Sequence, residues 1–190
     1  MPHIHAGIDF VVAAFVVHQS RVLMVYHNKL DSWMPLGGHI ELDEIPDHRL
    51  QREIEEESGL LLGINVEVYQ STEDLDNRCR IFPNNDIHHS HTLLRPWAID
   101  LHNFPPVPGH RHVAFVYFCR STTCDTHLSN GHANMAWMDH DKLEDPTIKM
   151  NQRVRVYGHT AITTVSMKHV PNSISGPCAL YGLQPNPATT

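Results

Sequence analysis

The chain has 190 residues, enough for one domain with a sizeable core, and carries 14 Lys and Arg against 21 Asp and Glu, a formal charge of −7. That balance excludes broad nucleic-acid binding through a basic surface, and the absence of any run of about 18 apolar residues gives no candidate membrane span. The cysteines, Cys79, Cys119, Cys124 and Cys178, are too few and unpatterned for a disulfide scaffold. They read as reduced thiols, and with no leader pattern at the N-terminus a soluble, cytoplasmic protein is expected.

From Ile8 to Val17 a run rich in β-branched and aromatic residues predicts a buried strand. Gln19-Ser20 reads as a turn and Val22 to Tyr26 as the returning strand of a hairpin. After the polar loop His27 to Ser32, Trp33-Met34-Pro35-Leu36 leads into Gly37-Gly38, where the backbone is expected to turn sharply and approach a ligand closely. Pro46 suits the first turn of a helix and Gly59 its left-handed end, which predicts a helix from about Pro46 to Ser58. Asp47 suits the positive end of its dipole. On that helix Glu53, Glu56 and Glu57 share a face, while Leu50 and Ile54 form part of the buried stripe. Clustered carboxylates repel by roughly 0.2–0.5 kcal/mol per exposed pair. A hard cation such as Mg²⁺, which takes oxygen ligands, would remove the penalty.

Beyond the helix, Ile64 to Tyr69 reads as a strand. The polar stretch 71–92, with Pro83-Asn84-Asn85-Asp86 as a turn and His88, His89 and His91 near its end, reads either as an insertion over the active site or as a plain surface loop. Leu93 to Leu101, His112 to Phe118 and Ala133 to Met138 are further strands, Asp141 to Leu143 a short turn of helix, and Ile148 to about Met167 a final helix. The Pro-containing stretch 171–190 reads as a poorly anchored tail, which leaves 1–170 as a single α/β domain with a mixed sheet between helices. A zinc site from Cys119, Cys124, His127 and His132 weighs less than ordinary strand and loop roles, because the spacing matches no standard pair of ligand dyads.

Gly38, five residues, Glu44, seven residues and then Arg52-Glu53-Ile54-Glu55-Glu56-Glu57-Ser58-Gly59-Leu60 fill every fixed position of the Nudix box. The chain therefore resembles a Nudix hydrolase, and Gly37-Gly38-His39 is similar to the start of the box in a bacterial subgroup. The resemblance implies an α/β/α sandwich over roughly Gly7 to Met167. It also implies Mg²⁺-dependent hydrolysis, with Mn²⁺ as a substitute, of a nucleoside diphosphate linked to another group, by attack of water on phosphorus. On the family's pattern Glu56 and Glu57 are direct metal ligands, and Glu53 is a metal ligand or the group that orients and deprotonates water. Gly37 adds its carbonyl, Arg52 anchors a glutamate within the catalytic set, and Gly38 and Glu44 support it.

Two departures stand out. Family members often supply an acid a few residues before the late tryptophan, whereas Asn130 to Ala136, ahead of Trp137, contain none. His132, Glu73 or Asp76 are the substitutes, or Glu53 is the sole base. Arg49 stands where the pattern has a small residue. Markers of ADP-ribose and NADH hydrolases are absent, and Trp97, Phe82 and Tyr117 are the aromatic residues to stack a base, a role that lone core aromatics seldom have. The expected partner is a small nucleotide or nucleoside diphosphate derivative, with no nucleic-acid polymer and no membrane; the oligomeric state is open, a homodimer included. The alternative function is a nucleotide-binding sensor with little or no hydrolysis.

Overall fold

A computed structural model of the chain describes residues 7–70, 93–127 and 134–166. The stretch 71–92 with its histidines, Glu73, Asp76 and Phe82, as well as His132 and the tail 171–190, lies outside the described residues. The elements are strands β1 (Ile8–His18), β2 (Arg21–His27), β3 (Ser32–Met34) and β4 (Leu36–His39), helix α1 (Pro46–Ser58), and strands β5 (Val66–Val68), β6 (Ala98–Asn103), β7 (Arg111–Ser121) and β8 (Asn134–Met138). Helices α2 (His140–Glu144) and α3 (Gln152–Ser166) close the described chain. They build the expected α/β arrangement, a mixed sheet between helices.

Strand β1 is the centre. Its odd-numbered residues Val11, Phe15 and Val17 enter a core shared with Val154, Ala161, Ile162 and Val165 of α3. Its even-numbered residues Val12, Ala14 and Val16 enter a second core with Leu50 and Ile54 of α1 and with Leu60. Burial on both faces is why the strand reads as an unbroken apolar run rather than an alternation. The sheet runs β3-β2-β1-β7-β5, with β4 paired to β1, β6 to β7 and β8 to β2. β1 and β7 are parallel, from Ile8 opposite Arg111 to Val17 opposite Arg120; the other pairings are antiparallel.

The hairpin turn falls on Gln19 and Ser20, both at positive φ (45° and 60°), the two-residue geometry whose twist matches the flanking strands. Helix α1 has Pro46 in its first turn and ends on Gly59 at φ 71°, as expected. Asp47 does more than serve the dipole, since its carboxylate accepts the backbone N–H of Leu94 at 2.8 Å. Three boundaries differ from the sequence expectation. Strand β5 starts at Val66 because the N–H groups of Ile64, Asn65 and Val66 all converge on the Leu61 carbonyl, closing a turn. Strand β6 starts at Ala98, after Pro96, which has no N–H to give a sheet. Helix α3 starts at Gln152 because the Asn151 side chain accepts the Arg153 N–H at 2.9 Å, capping it.

The double glycine also corrects the expectation of a sharp turn. Gly37 and Gly38 lie within β4, opposite Ala13 and Val12 of β1. Gly37 adopts φ 150°, and a Cβ there would lie inside the Val12 carbonyl group. Gly37→Ala is therefore expected to cost at least about 2 kcal/mol, since both the backbone dihedral and the strand spacing must yield. A melting temperature within a degree of the parent would show that β4 can move away from β1. Among the described residues no helix is long and apolar enough to cross a membrane.

Candidate functional site: an acidic helix row beside a glycine strand

Burying Leu50 and Ile54 fixes the rotation of α1 and so decides which of its charges face β4. Residues 49, 53 and 57 follow one another at i, i+4 spacing and form an inner row. Arg49, Glu53 and Glu57 are 1 %, 4 % and 7 % exposed, whereas the Glu56 side chain is 57 % exposed. The shared face expected of the three glutamates is thus split: Glu53 and Glu57 point inward, and Glu56 stands at the rim. Glu57 Oε2 accepts the backbone N–H of Gly37 at 2.9 Å, which ties the helix to the glycine strand.

Arg49 explains its own departure from the small residue of the pattern. Its guanidinium forms an ion pair with Glu53 and lies 3.8 Å from Glu44 Oε2. Gly38 packs directly on this pair, and a Cβ there would come within 2.6 Å of Glu53 Oε1. The outer row is a second relay: Arg52 donates from Nε and Nη2 to the two Glu44 oxygens at 3.0 and 3.1 Å, and from Nη1 to Glu56 at 3.3 Å. Arg52 thus bridges Glu44 and Glu56. Burial and then the neighbouring Glu57 push the Glu53 carboxyl up to about 8; the Arg49 contact and any bound cation act in the opposite direction.

Beside the row lies a pocket of about 400 Å³, lined by Gly37, Gly38, Glu57, Lys29, Arg153 and Tyr157 among others, within the size range of small-molecule sites. Its far wall is a polar network in which Asp100 accepts from Tyr157 Oη at 3.2 Å and lies 3.4 Å from Arg153 Nη1 and 3.0 Å from His102 Nδ1. Phe104 also lines the pocket. Tyr117, by contrast, is buried in the core and offers no stacking face, and Trp97 stacks on Phe118 at 4.8 Å between ring centroids.

A histidine cluster occupies the same face of the sheet as the pocket. Asp9 of β1 stands opposite His112 of β7, and His112 opposite His102 of β6. His39 of β4, opposite Val11, completes the row. Ligand atoms of Asp9, His39 and His112 lie within 4.8 Å of one another. No such grouping forms from Cys119, Cys124 and His127 among the described residues, and burial pushes the Cys119 thiol up to about 12. Burial, then the adjacent His39, His102 and His110 rings, hold His112 down at about 4. The folded chain thus lacks a proton that the unfolded chain binds below pH 6.5, so this contribution to stability is lost as pH falls from 6.5 through 4. With a chelator present, the His112 ring resonances are expected to stay flat from pH 8 to about 5; a midpoint near 6.5 would show the ring to be solvated.

Sequence reading singled out α1, Gly37 and the glutamates, and the structure brings Gly37 and Glu57 into contact. It gave no place to Arg153 and Tyr157, whose approach to the pocket depends on where α3 packs, or to the Asp9/His112/His102 row, which depends on register. The alternation His110-Arg111-His112 at the mouth of a strand was the available signal. A family model for the NUDIX domain matches residues 9–157. Among solved structures, the chain is similar to a hydrolase of the NUDIX family from Clostridium perfringens, with 27% identity and a TM-score of 0.66 over 83% of this chain and 97% of that one. It is similar in fold to a MutT NUDIX hydrolase from Burkholderia pseudomallei, with 18% identity and a TM-score of 0.54 over 84% and 99% of the two chains. A C. elegans Ap4A hydrolase shares the fold at 12% identity and a TM-score of 0.51, over 85% and 96%. No curated protein matches the sequence significantly.

Proposed function

The chain belongs to the Nudix family and is a hydrolase of pyrophosphate bonds, and from that premise we propose that it is a Mg²⁺-dependent enzyme cleaving a small nucleoside diphosphate derivative. The observation that carries this reading is the Glu57 carboxylate, held by the Gly37 N–H at the edge of a pocket that also presents Lys29 and Arg153. Carboxylates on one wall and cations on another suit a polyanionic substrate bound together with a hard metal ion.

Glu53, Glu56, Glu57 and the Gly37 carbonyl offer the oxygen donors that Mg²⁺ prefers, and the inward Glu53 and Glu57 fit it best. The ion, when bound, neutralises the diphosphate and stabilises the leaving oxygen. The chain's own residues do the rest. Arg52 keeps Glu56 and Glu44 in place, and Arg49 fixes the Glu53 carboxylate against Gly38. Lys29 and Arg153 orient the phosphates, and Phe104 and Tyr157 offer apolar surface to the group beyond them. Glu53 accepts a proton from the attacking water, in the ionised form that the Arg49 contact and a bound cation would favour. Residues 1–170 serve as one catalytic domain on this reading, in the cytoplasm, where nucleotides and Mg²⁺ are at hand.

The test is release of phosphate and nucleotide across nucleoside triphosphates, dinucleoside polyphosphates, ADP-ribose and nucleotide sugars, with Mg²⁺ and with Mn²⁺. Turnover of one class names the substrate. Silence across the panel, with ligands still raising the melting temperature, would instead establish the sensor.

A further inference from the structure

The row of histidines serves no step of the pyrophosphohydrolase reading, and its geometry points to a second metal centre, in which Asp9, His39, His110 and His112 hold one divalent transition ion of the zinc class. Three observations carry this. His39 Nε2 and His110 Nε2 lie 3.3 and 3.2 Å from the same oxygen, Asp9 Oδ2. For a tetrahedral ion with bonds of about 2.0–2.1 Å, neighbouring ligand atoms are separated by roughly 3.3 Å. The third imidazole, His112, joins Asp9 and His39 within 4.8 Å, and its ring centroid is 5.3 Å from that of His110. The donors therefore need only side-chain adjustments to close on one ion.

The second observation is burial. Asp9 is fully buried and His110 and His112 nearly so. A carboxylate in such a place is normally paired or coordinates a metal. Imidazoles with one carboxylate form a donor set that suits zinc and its neighbours, whereas Mg²⁺ takes oxygen ligands.

The third is placement. Gly38 of β4 faces the Arg49–Glu53 pair on one side of the sheet, and the next residue, His39, faces Asp9 on the other. The ion would lie on the sheet face opposite the Arg49–Glu53 pair, held by donors none of which belongs to the acidic helix. It would also fasten β4 to β1 and β7, and its ligands His39 and His112 form part of the pocket wall.

The competing arrangement is an ion-free one, in which His39 and His110 hydrogen-bond to Asp9. Titration of the chelator-stripped, untagged chain with Co²⁺, in excess Mg²⁺, separates the two. One equivalent is expected to produce the visible absorption of tetrahedral cobalt, displaced by Zn²⁺, in the parent and in Glu57→Gln alike. His112→Ala and Asp9→Asn are expected to lose at least about tenfold in Co²⁺ affinity. No band in the parent, or an undiminished band in folded His112→Ala, would overturn the site. Should these variants fail to fold, the parent decides: a melting temperature that Zn²⁺ does not raise in the presence of Mg²⁺ refutes it. Because the readout is spectroscopic, loss of the proposed hydrolysis with the band intact would count against the pyrophosphohydrolase reading alone.

Discussion

Glu57→Gln is expected to lower turnover by about 10²–10⁴-fold and to leave the fold intact. The amide oxygen still accepts the Gly37 N–H that Glu57 Oε2 accepts at 2.9 Å, so the tie between α1 and β4 survives. What disappears is one negative charge at the pocket edge, and with it, on the proposed function, a donor for the hard cation. Glu56→Gln makes the informative comparison, since its side chain is 57 % exposed and touches Arg52 rather than the glycine strand. A larger loss in Glu56→Gln than in Glu57→Gln would reverse the order of importance that burial assigns. Steady-state kinetics over a Mg²⁺ series, paired with thermal melts of both variants, checks it.

Arg49→Met is expected to destabilise the chain by about 3–5 kcal/mol at pH 9, the cost of stranding a buried carboxylate without its partner. With the guanidinium removed, burial and Glu57 raise the Glu53 carboxyl above its place in the parent, about 8, against the weaker pull of Arg52. The folded variant then keeps a proton that the unfolded chain, with a carboxyl near 4.5, has released. Both chains should lose stability as pH rises from 4.5, and because the parent's carboxyl ionises first, the deficit of Arg49→Met should be smaller at pH 5 and widen above pH 8. Adding Glu53→Gln removes the stranded charge and should recover much of the loss. Urea unfolding of the parent and the two variants at pH 5 and 9 tests this, and a deficit independent of pH would mean that Arg49 contributes packing alone.

These two residues also mark how far the sequence could be read. The helix, its cap at Gly59 and its buried Leu50 and Ile54 were legible because helical periodicity is local: each residue's role depends on neighbours three or four positions away. β1 was legible because burial on both faces leaves a distinctive apolar run. The spacing of the Nudix box named the family, and the match over residues 9–157 bears it out. Arg49 was visible as a departure but not as the partner of Glu53, since nothing local says that Gly38 would press both groups together. Asp9 was hidden more deeply. A single acid in an apolar strand has no meaning until β7 is set beside it in register, and only then do His112, His102 and His39 fall into line. The strands at Ser32–Met34 and Leu36–His39 were missed because they are three and four residues long, are separated by Pro35, and the second carries Gly37-Gly38, signals that favour loops.

The parallel pairing of β1 with β7 joins residues about a hundred positions apart, Ile8 to Arg111 at one end and Val17 to Arg120 at the other. During synthesis the hairpin, the glycine strand and the acidic helix all emerge while one long edge of β1 still waits for its mate. Such distant parallel closure is slow, because chain entropy is spent before any contact repays it. The assembly of this enzyme is therefore expected to be late and concerted. Neither the pocket nor the histidine row exists in a partly made chain, and an unfinished product carries a bare apolar strand edge that invites chaperones or self-association.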